Sequence, residues 1–292
     1  MGIVGLPLLF VCVFGGFILS GGGNAFGVFA HPGEYVVIIG AAIAALITSN
    51  PPSKISSIFK YGLKTITIKD VSKAQYLEGL KLMFELFSAQ KKEGVQAIET
   101  HIEDPANSKI FSNYPGVMHN HHVVDFICDS MRTFISGGPS PYDMDDLLIA
   151  DLEIMHADEH KIPAAIQNTA DAFPAIGIVA AVLGVIITMM SISAGPEVVG
   201  EKVAAALVGT FLGIFVGYGI VGPIATRLNH YFESEGSFFN MFKAGILANC
   251  RGLPPQVSVE FARRAIPPGE RPTFKELEED LKNAQANSKK AA

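Results

Sequence analysis

The 292-residue chain is 49% hydrophobic and only 17% charged, a balance that excludes intrinsic disorder and collagen-like composition. Its formal net charge of −6 at pH 7 gives no support for a nucleic-acid partner. The three cysteines, Cys12, Cys128 and Cys250, are far apart and odd in number. No disulfide framework is therefore predicted, and a reducing compartment is the simpler interpretation.

Four apolar blocks without a charged side chain predict membrane helices. They are Met1–Leu19, Tyr35–Ser49, Phe173–Ala194 and Val203–Thr226. At a rise of about 1.5 Å per residue, the first, third and fourth blocks can cross a hydrocarbon core about 30 Å thick. The second block is marginal by itself, but it is the only candidate that can return the chain if the first block spans.

The distribution of lysine and arginine predicts the orientation of these spans. Ser20–Gly33 has none and Gly195–Lys202 has one, whereas Asn50–Ala172 has eleven and Arg227–Ala292 has ten. The positive-inside rule then places both long segments and both termini in the cytoplasm. The sequence thus predicts an all-α integral membrane protein with four transmembrane helices and a helical cytoplasmic domain.

These boundaries divide the chain into four predicted parts. Residues 1–49 hold transmembrane helices 1 and 2 with a short periplasmic loop, and residues 50–172 form a cytoplasmic helical domain. Residues 173–226 hold transmembrane helices 3 and 4, and residues 227–292 form a cytoplasmic C-terminal helical segment and tail.

Local signals predict helices in the cytoplasmic parts. Asp70 can cap a helix that reaches roughly to Lys92. Thr273 and Glu276 form a capping box at the start of a last helix. The segment Gly236–Pro255 is predicted to interrupt the helical pattern.

Small residues recur along the third and fourth blocks, which predicts close helix packing. Pro174 stands at the inner start of the third block and Pro223 near the inner end of the fourth, where each permits a kink. An ordinary tight helical bundle accounts for the same pattern. The small residues are Gly177, Ala181 and Gly184 in the third block and Gly209, Gly213 and Gly217 in the fourth.

The apolar blocks lack ionisable side chains. A proton channel needs an ionisable or hydrated group at membrane depth, yet no block contains Asp, Glu, Lys, Arg or His. Glu34 stands at the predicted outer mouth of the second span, where it either attracts cations or complements the helix dipole. Either the chain does not move ions or a partner supplies the carboxylate.

Two histidine clusters suggest metal sites only weakly. His156 and His160 fit the H-x-x-E-H pattern of inverted zinc peptidases, but no separate motif for a third ligand is evident. His119, His121 and His122 are better interpreted as a polar helix start than as ligands. We predict no metal site, no cofactor and no enzymatic activity.

Longer motifs lie in the last two apolar blocks and in the cytoplasmic stretches. They are Asp171–Gly184, Val208–Gly213, Tyr218-Gly219, Pro223–Thr226, Ile102–Pro105, Phe111-x-x-Tyr-Pro115 and Gly269–Glu279. In order, and over nearly the whole chain, these motifs resemble those of the flagellar motor stator A subunit, the MotA family.

The resemblance implies that five A subunits surround a dimer of B subunits, of the MotB type, in the bacterial inner membrane. The B subunit would supply the transmembrane aspartate, which agrees with the missing carboxylate. Ion flow would drive the A subunit to turn the rotor switch ring through the protein FliG. An energiser of the ExbB or TolQ type, with three spans, and a membrane zinc peptidase using His156 and His160 remain alternatives.

The resemblance also assigns residues to the ion pathway. Pro174 and Pro223 match the two functional prolines that couple protonation to movement, and Thr210 matches the threonine that faces the B helix. Sodium-driven relatives carry a threonine where this chain has Ala181, which favours the proton as the ion. Glu34 joins these ion-pathway candidates because of its position at the predicted outer mouth, and not through a family motif.

Three charged residues match positions that face the rotor. Glu99 matches the acidic residue, and Lys91 aligns with a basic residue that is usually arginine. Lysine keeps the charge but loses the planar fork that pairs bidentately, and Lys92 could share the role. From spacing alone, a solvated helix surface explains all three residues.

Overall fold

The computed structural model describes residues 2–22 and 32–291, with side chains at 4–22 and 32–282, and these residues form helices and no β-strand. Part of the predicted periplasmic loop, residues 23–31, lies outside them. The helices are α1 (Gly2–Leu19), α2 (Pro32–Ser49), α3 (Pro52–Lys64), α4 (Lys73–Glu93), α5 (Val95–Glu103), α6 (Pro115–Met118), α7 (His121–Ile135), α8 (Pro141–Glu159), α9 (Lys161–Met190), α10 (Pro196–Val216), α11 (Gly222–Cys250), α12 (Pro255–Ala265) and α13 (Phe274–Ala291). Short 3-10 turns cover Pro105–Asn107, Phe111–Asn113 and Ile192–Ala194, and a π-helical segment covers Gly217–Val221.

The chain forms two compact units. The first unit comprises Met1–Ile68 and Asp158–His230, and the second comprises Lys69–Ala157 and Tyr231–Ala292. The first unit contains the long apolar helices, and the second contains the larger hydrophobic core.

Within the described residues, three helical runs are long and apolar enough to cross a membrane. They are Pro32–Ser49, Pro141–Met190 and Pro196–Cys250, and α1 contributes a shorter apolar stretch, Val4–Leu19. The second predicted span is longer than the sequence block suggested because its helix begins at Pro32 and has 18 residues. A proline suits the first position of a helix, where its missing N–H leaves no bond unmade.

Helices α9 and α10 of the first unit meet through small residues. A Cβ built on Gly184 would lie 2.6 Å from Ala206 Cβ, and one built on Gly177 would lie 3.1 Å from Gly213 Cα. Since later residues of α9 meet earlier residues of α10, the two helices run antiparallel. The predicted close packing of the small residues is therefore confirmed.

Helix α4 lies in the middle of the second unit rather than on its surface. Its buried residues point in several directions, so the helix is buried on more than one face. Gly79 allows α11 to approach, because a Cβ there would lie 2.7 Å from Met241 Cε and 2.8 Å from Phe242 Cζ. The buried residues of α4 are Tyr76, Gly79, Leu80, Leu82, Met83, Phe84, Leu86 and Phe87.

The start of α4 differs from the prediction, whereas the start of α13 agrees with it. Ser72, not Asp70, caps α4, because the Gln75 N–H donates to Ser72 Oγ while Gln75 Oε1 accepts from the Ser72 N–H at 3.0 Å. This reciprocal pair satisfies two backbone donors at once. At α13, the Thr273 N–H donates to Glu276 Oε2 at 2.6 Å, so the predicted capping box is confirmed.

The predicted interruption at Gly236–Pro255 is wrong over most of its length, because α11 continues to Cys250. Gly236 lies against the imidazole ring of His156, and Gly245 lies against the sulfur of Met83. These glycines make room for neighbouring side chains rather than ending the helix. The chain turns only afterwards, where Gly252 adopts a φ of +78°.

Candidate functional site

Pro174 lies inside α9 and faces the irregular part of the following span. Proline has no N–H, so the Ala170 carbonyl receives no bond from it within the helix. A Cβ on Gly217 would lie 2.7 Å from that Ala170 oxygen and 3.3 Å from Pro174 Cδ. The interrupted turn of α9 thus contacts the first residue of the π-helical segment.

The π-helical segment Gly217–Val221 joins α10 to α11 and immediately precedes Pro223. The Gly222 N–H donates to the Gly217 carbonyl, five residues earlier, instead of four. Pro223 is exposed and donates no backbone hydrogen bond in the next turn. Single π turns often mark functional sites, and sequence reasoning missed this one. The available signal was a glycine-rich run directly before a proline.

A cavity of about 520 Å³ lies beside Pro223 in the first unit. Arg227, the first charged residue after the fourth apolar block, lines it and donates to the Ile68 carbonyl at 2.9 Å. A charged side chain therefore borders this cavity at the end of the span that we predict to be cytoplasmic. Its other lining residues are Gln167, Tyr218, Gly222, Thr226 and His230.

Glu34 extends further into the helices than its place in the sequence suggested. Its Oε2 atom lies 3.0 Å from the position that a Cβ on Gly209 would occupy. That position is also 3.1 Å from Ala180 Cβ and 3.5 Å from the backbone nitrogen of Ala181. Thr210, half-buried, follows Gly209 on α10. The structure thus brings Glu34 to the level of Ala181 and next to the residue before Thr210.

The three predicted rotor-facing residues lie on consecutive helices of the second unit. Lys91 and Lys92 lie in the last turn of α4, Glu99 lies on α5, and Gly94 makes the turn between the helices with a φ of +92°. All three side chains belong to exposed residues. None of them forms an ion pair with any residue that the structure describes, so their charges are available to a partner.

A second cavity, of about 330 Å³, lies beside the two lysines. Glu85 lines it, and burial raises the pKa of that carboxyl although hydrogen bonds from Tyr114 and Asn113 oppose the shift. The cavity therefore combines exposed cations with a partly buried acid. Its other lining residues are Phe84, Ser88, Ala89, Lys91, Lys92, Glu93, Ile110, Pro255 and Gln256.

Two acidic residues of α4 fasten the segment that carries the Phe111-x-x-Tyr-Pro115 motif. Glu85 hydrogen-bonds Tyr114, and Glu78 Oε2 accepts from the Gly116 N–H at 2.7 Å. A Cβ on Gly116 would lie 2.5 Å from the same oxygen, so a larger residue there would displace the Glu78 carboxylate from this hydrogen bond. Sequence reasoning missed both acids, although their spacing of two helical turns on a buried helix was a usable signal.

The histidines do not come together as ligands within the described part of the chain, where no three His, Cys, Asp or Glu residues are grouped to hold a metal ion. The His156 ring lies against Gly236. Asn120 caps α7, which begins at His121, and His119 Nδ1 lies 2.6 Å from a backbone carbonyl. This second cluster is therefore a polar helix start, as predicted.

The long apolar helices and their glycine-lined contact define an α-helical membrane protein. Residues 3–94 match the family model "Motility protein A N-terminal", and residues 119–241 match "MotA/TolQ/ExbB proton channel family". Motility protein A of Escherichia coli (strain K12) is 34% identical over 281 residues, which cover 96% of this chain and 94% of that protein. The chain belongs to the motility protein A family, MotA.

Two solved structures share this fold. The structure of C. jejuni MotAB matches with a TM-score of 0.76 and 17% identity, over 94% of this chain and 98% of that one. The flagellar MotAB stator complex from Bacillus subtilis matches with a TM-score of 0.72 and 24% identity, over 92% and 96%. At these identities, the likeness supports the arrangement of the helices and not the role of any residue.

Proposed function

We propose that this chain is the A subunit of a flagellar motor stator. Together with a B-type subunit it conducts protons through the membrane and converts their flow into torque on the rotor. The observation that carries this proposal is family membership over 96% of the chain. The contact between the turn at Pro174 and the π-helical segment is where we propose that the helices of this chain move during the motor cycle.

The proposed topology has four spans, formed by α1, α2, the apolar part of α9, and α10 continued to Thr226. Both termini are cytoplasmic, and the membrane is the bacterial inner membrane. The positive-inside rule supports this topology, because Lys and Arg concentrate in residues 50–172 and 227–292. Residues 1–49 and 173–226 then form the membrane part of the protein.

The proposed partner in the membrane is a MotB-type subunit that contributes an aspartate. One charge that crosses a potential of about 100 mV releases about 2.3 kcal/mol. The turn of α9 at Pro174 contacts Gly217, and the segment that begins at Gly217 leads directly to Pro223, which supports a rearrangement between α9 and α11 at this point.

We propose five copies of this chain around two B subunits, with FliG as the partner in the rotor. Lys91, Lys92 and Glu99 support the contact with FliG, because their charges are exposed and lack ion-pair partners among the described residues. Both lysines border the same cavity, so we propose that Lys91 and Lys92 together form the basic part of this contact.

The two alternatives are less well supported. An ExbB or TolQ energiser shares the channel family model, but the separate N-terminal model matched by residues 3–94 favours the motility protein. A zinc peptidase would need a third ligand near His156 and His160, and no observation supplies one.

Reconstitution tests the proposed function directly. Vesicles that contain this chain and a B-type subunit should take up protons when a potassium diffusion potential is imposed. Vesicles with either subunit alone, or with the transmembrane aspartate of the B subunit replaced by asparagine, should not. Equal uptake by this chain alone would contradict the proposal.

A further inference from the structure

The backbone of Glu34 lies in the first turn of α2, but its carboxylate reaches the contact between α9 and α10. Gly209, which it meets, is seven residues inward of Lys202 on the same helix, or about 10 Å. Arg227 is a further eighteen residues inward, about 27 Å along the helical path. The carboxylate therefore lies within the apolar stretch between these two cations rather than at its end.

The site that receives this carboxylate depends on an absent side chain. A Cβ on Gly209 would lie 3.0 Å from Glu34 Oε2 and 3.1 Å from Ala180 Cβ, so even an alanine would crowd both groups. By contrast, a Cβ on Gly40, six residues further along α2 than Glu34, would meet nothing within 4 Å. Glycine at position 209 thus leaves the space that the carboxylate uses.

The next residue of α2, Tyr35, carries a second polar group among the membrane helices. The hydroxyl oxygen of Tyr35 is buried, and no residue that the structure describes hydrogen-bonds to it. Tyr35 also packs against the apolar cluster that includes Ile38, Phe173 and Ala180. Ionisable and polar groups are rare at membrane depth and usually mark ion pathways, because hydrocarbon does not solvate them.

We infer that Glu34 is a proton-binding group of the ion pathway, carried by this chain on the outer side of the partner's aspartate. This inference rests on the proposed function. A proton from the outer solution binds a Glu34 carboxylate oxygen and gives a neutral carboxylic acid. The proton then passes to the carboxylate of the B subunit, and Glu34 becomes a carboxylate again. The step moves one proton and needs no other reactant.

Two simpler roles for the Glu34 carboxylate lead to predictions that differ from those of a proton-binding group. A carboxylate that only complements the helix dipole would need no contact with α10, and any acidic residue in the first turn would serve. A carboxylate that only attracts cations from solution would act over a distance, and high salt would screen its effect. A binding site within the spans would instead keep its effect at high salt.

Proton uptake by vesicles containing this chain and its B subunit tests the inference. Glu34→Gln should reduce uptake at least tenfold at both low and high salt, while Glu34→Asp, which keeps the carboxylate, should retain more uptake than Glu34→Gln. Uptake by Glu34→Gln within twofold of the unchanged complex would overturn the inference. Equal loss in both variants, with the complex still assembled, would show a structural role and would also overturn it.

A labelling experiment tests the position of Glu34 without proton flow. In membranes, a lipid-soluble carbodiimide should modify Glu34, whereas a water-soluble carbodiimide should modify the exposed Glu197 first. Gly209→Ala should shift Glu34 towards the water-soluble reagent. Gly184→Ala is the matched control, because it crowds Ala206 on the same helix pair and no carboxylate.

The two experiments separate the possible failures. If the unchanged complex takes up no protons while Glu34 is labelled from the lipid phase, the proposed function fails and the position of Glu34 stands. If the complex conducts but Glu34 reacts with the water-soluble reagent as fast as Glu197, the inference alone is overturned.

Discussion

Gly177 of α9 and Gly213 of α10 lie in direct backbone contact. A Cβ on Gly213 would lie 2.9 Å from Gly177 Cα and 2.7 Å from the Phe173 carbonyl oxygen. No flexible side chain is available to move aside, because the atoms on both sides belong to the backbone. This contact holds the two helices together one turn from Pro174, where α9 has lost a hydrogen bond.

Gly213→Ala should therefore destabilise the membrane unit. Overpacking of a tight site typically costs about 1–3 kcal/mol, so the free energy of unfolding in detergent should fall by that order. Gly200→Ala is the control on the same helix, because a Cβ there would meet nothing within 4 Å. Equal stability of the two variants would show that the helices separate easily at this point.

Pro223→Ala should reduce torque without preventing membrane insertion. Alanine restores an N–H after the π-helical segment and so favours regular helix over the irregular turn. The measurement is the rotation speed of tethered cells at equal amounts of membrane-inserted protein. Pro196→Ala is the control, because Pro196 starts α10, where proline removes no bond. A normal speed for Pro223→Ala would show that this turn does not move during the motor cycle.

Charge reversal should test the rotor-facing surface. Lys91→Glu combined with Lys92→Glu, and separately Glu99→Lys, should lower swimming speed with membrane insertion unchanged. Exposed ion pairs are worth about 0–1 kcal/mol each, so a single neutral substitution should have a mild effect. Lys109→Glu, also exposed, is the control. If cells of both charge-reversed variants swim normally, the three residues are ordinary surface charges.

The stability of the second unit should depend on Glu276 in acid. Hydrogen bonds from Lys73 and Thr273 lower the pKa of the Glu276 carboxyl to about 2 from 4.5, so its ionised form stabilises the fold. That contribution is complete above about pH 4.5 and is lost as the pH falls towards 2. Glu276→Gln should therefore flatten the pH dependence of thermal unfolding in this window. Glu279→Gln, on an exposed position of the same helix, should not.

The transported ion should be the proton. Sodium needs several oxygen ligands, and this chain offers Thr210 but has Ala181 at the companion position. Swimming should be insensitive to external sodium and should fall with a protonophore. Ala181→Thr is the control variant, because it adds the companion hydroxyl at position 181, and proton-driven swimming should stay largely intact in it. Swimming that stops when potassium replaces sodium at constant proton-motive force would contradict the assignment.

Periodicity and caps predicted the helical class and the capping box at Thr273, because these depend on local sequence. The recurring small residues predicted the close contact of α9 with α10. The break at Gly236 was predicted wrongly, since a glycine that accommodates His156 resembles a helix breaker until its neighbour is known. The burial of α4 on several sides also depends on elements distant in sequence.

The candidate site was harder to predict for the same reason. Pro174, Pro223 and Thr210 were found through motifs, and their role remains a prediction. The π-helical turn was not expected, because glycine runs are compatible with several backbone arrangements. The reach of Glu34 to Gly209 could not be deduced from its position near a helix start, since it requires the register of three helices.

Deletion of the gene, with observation of single motors, is the most direct test of the stator role. Cells without this chain should assemble flagella of normal number and length, but their tethered motors should not rotate. Rotation should return in steps when this chain is expressed again and should not return when the B subunit is absent. Motors that rotate at full speed without this chain would contradict its role as the stator A subunit.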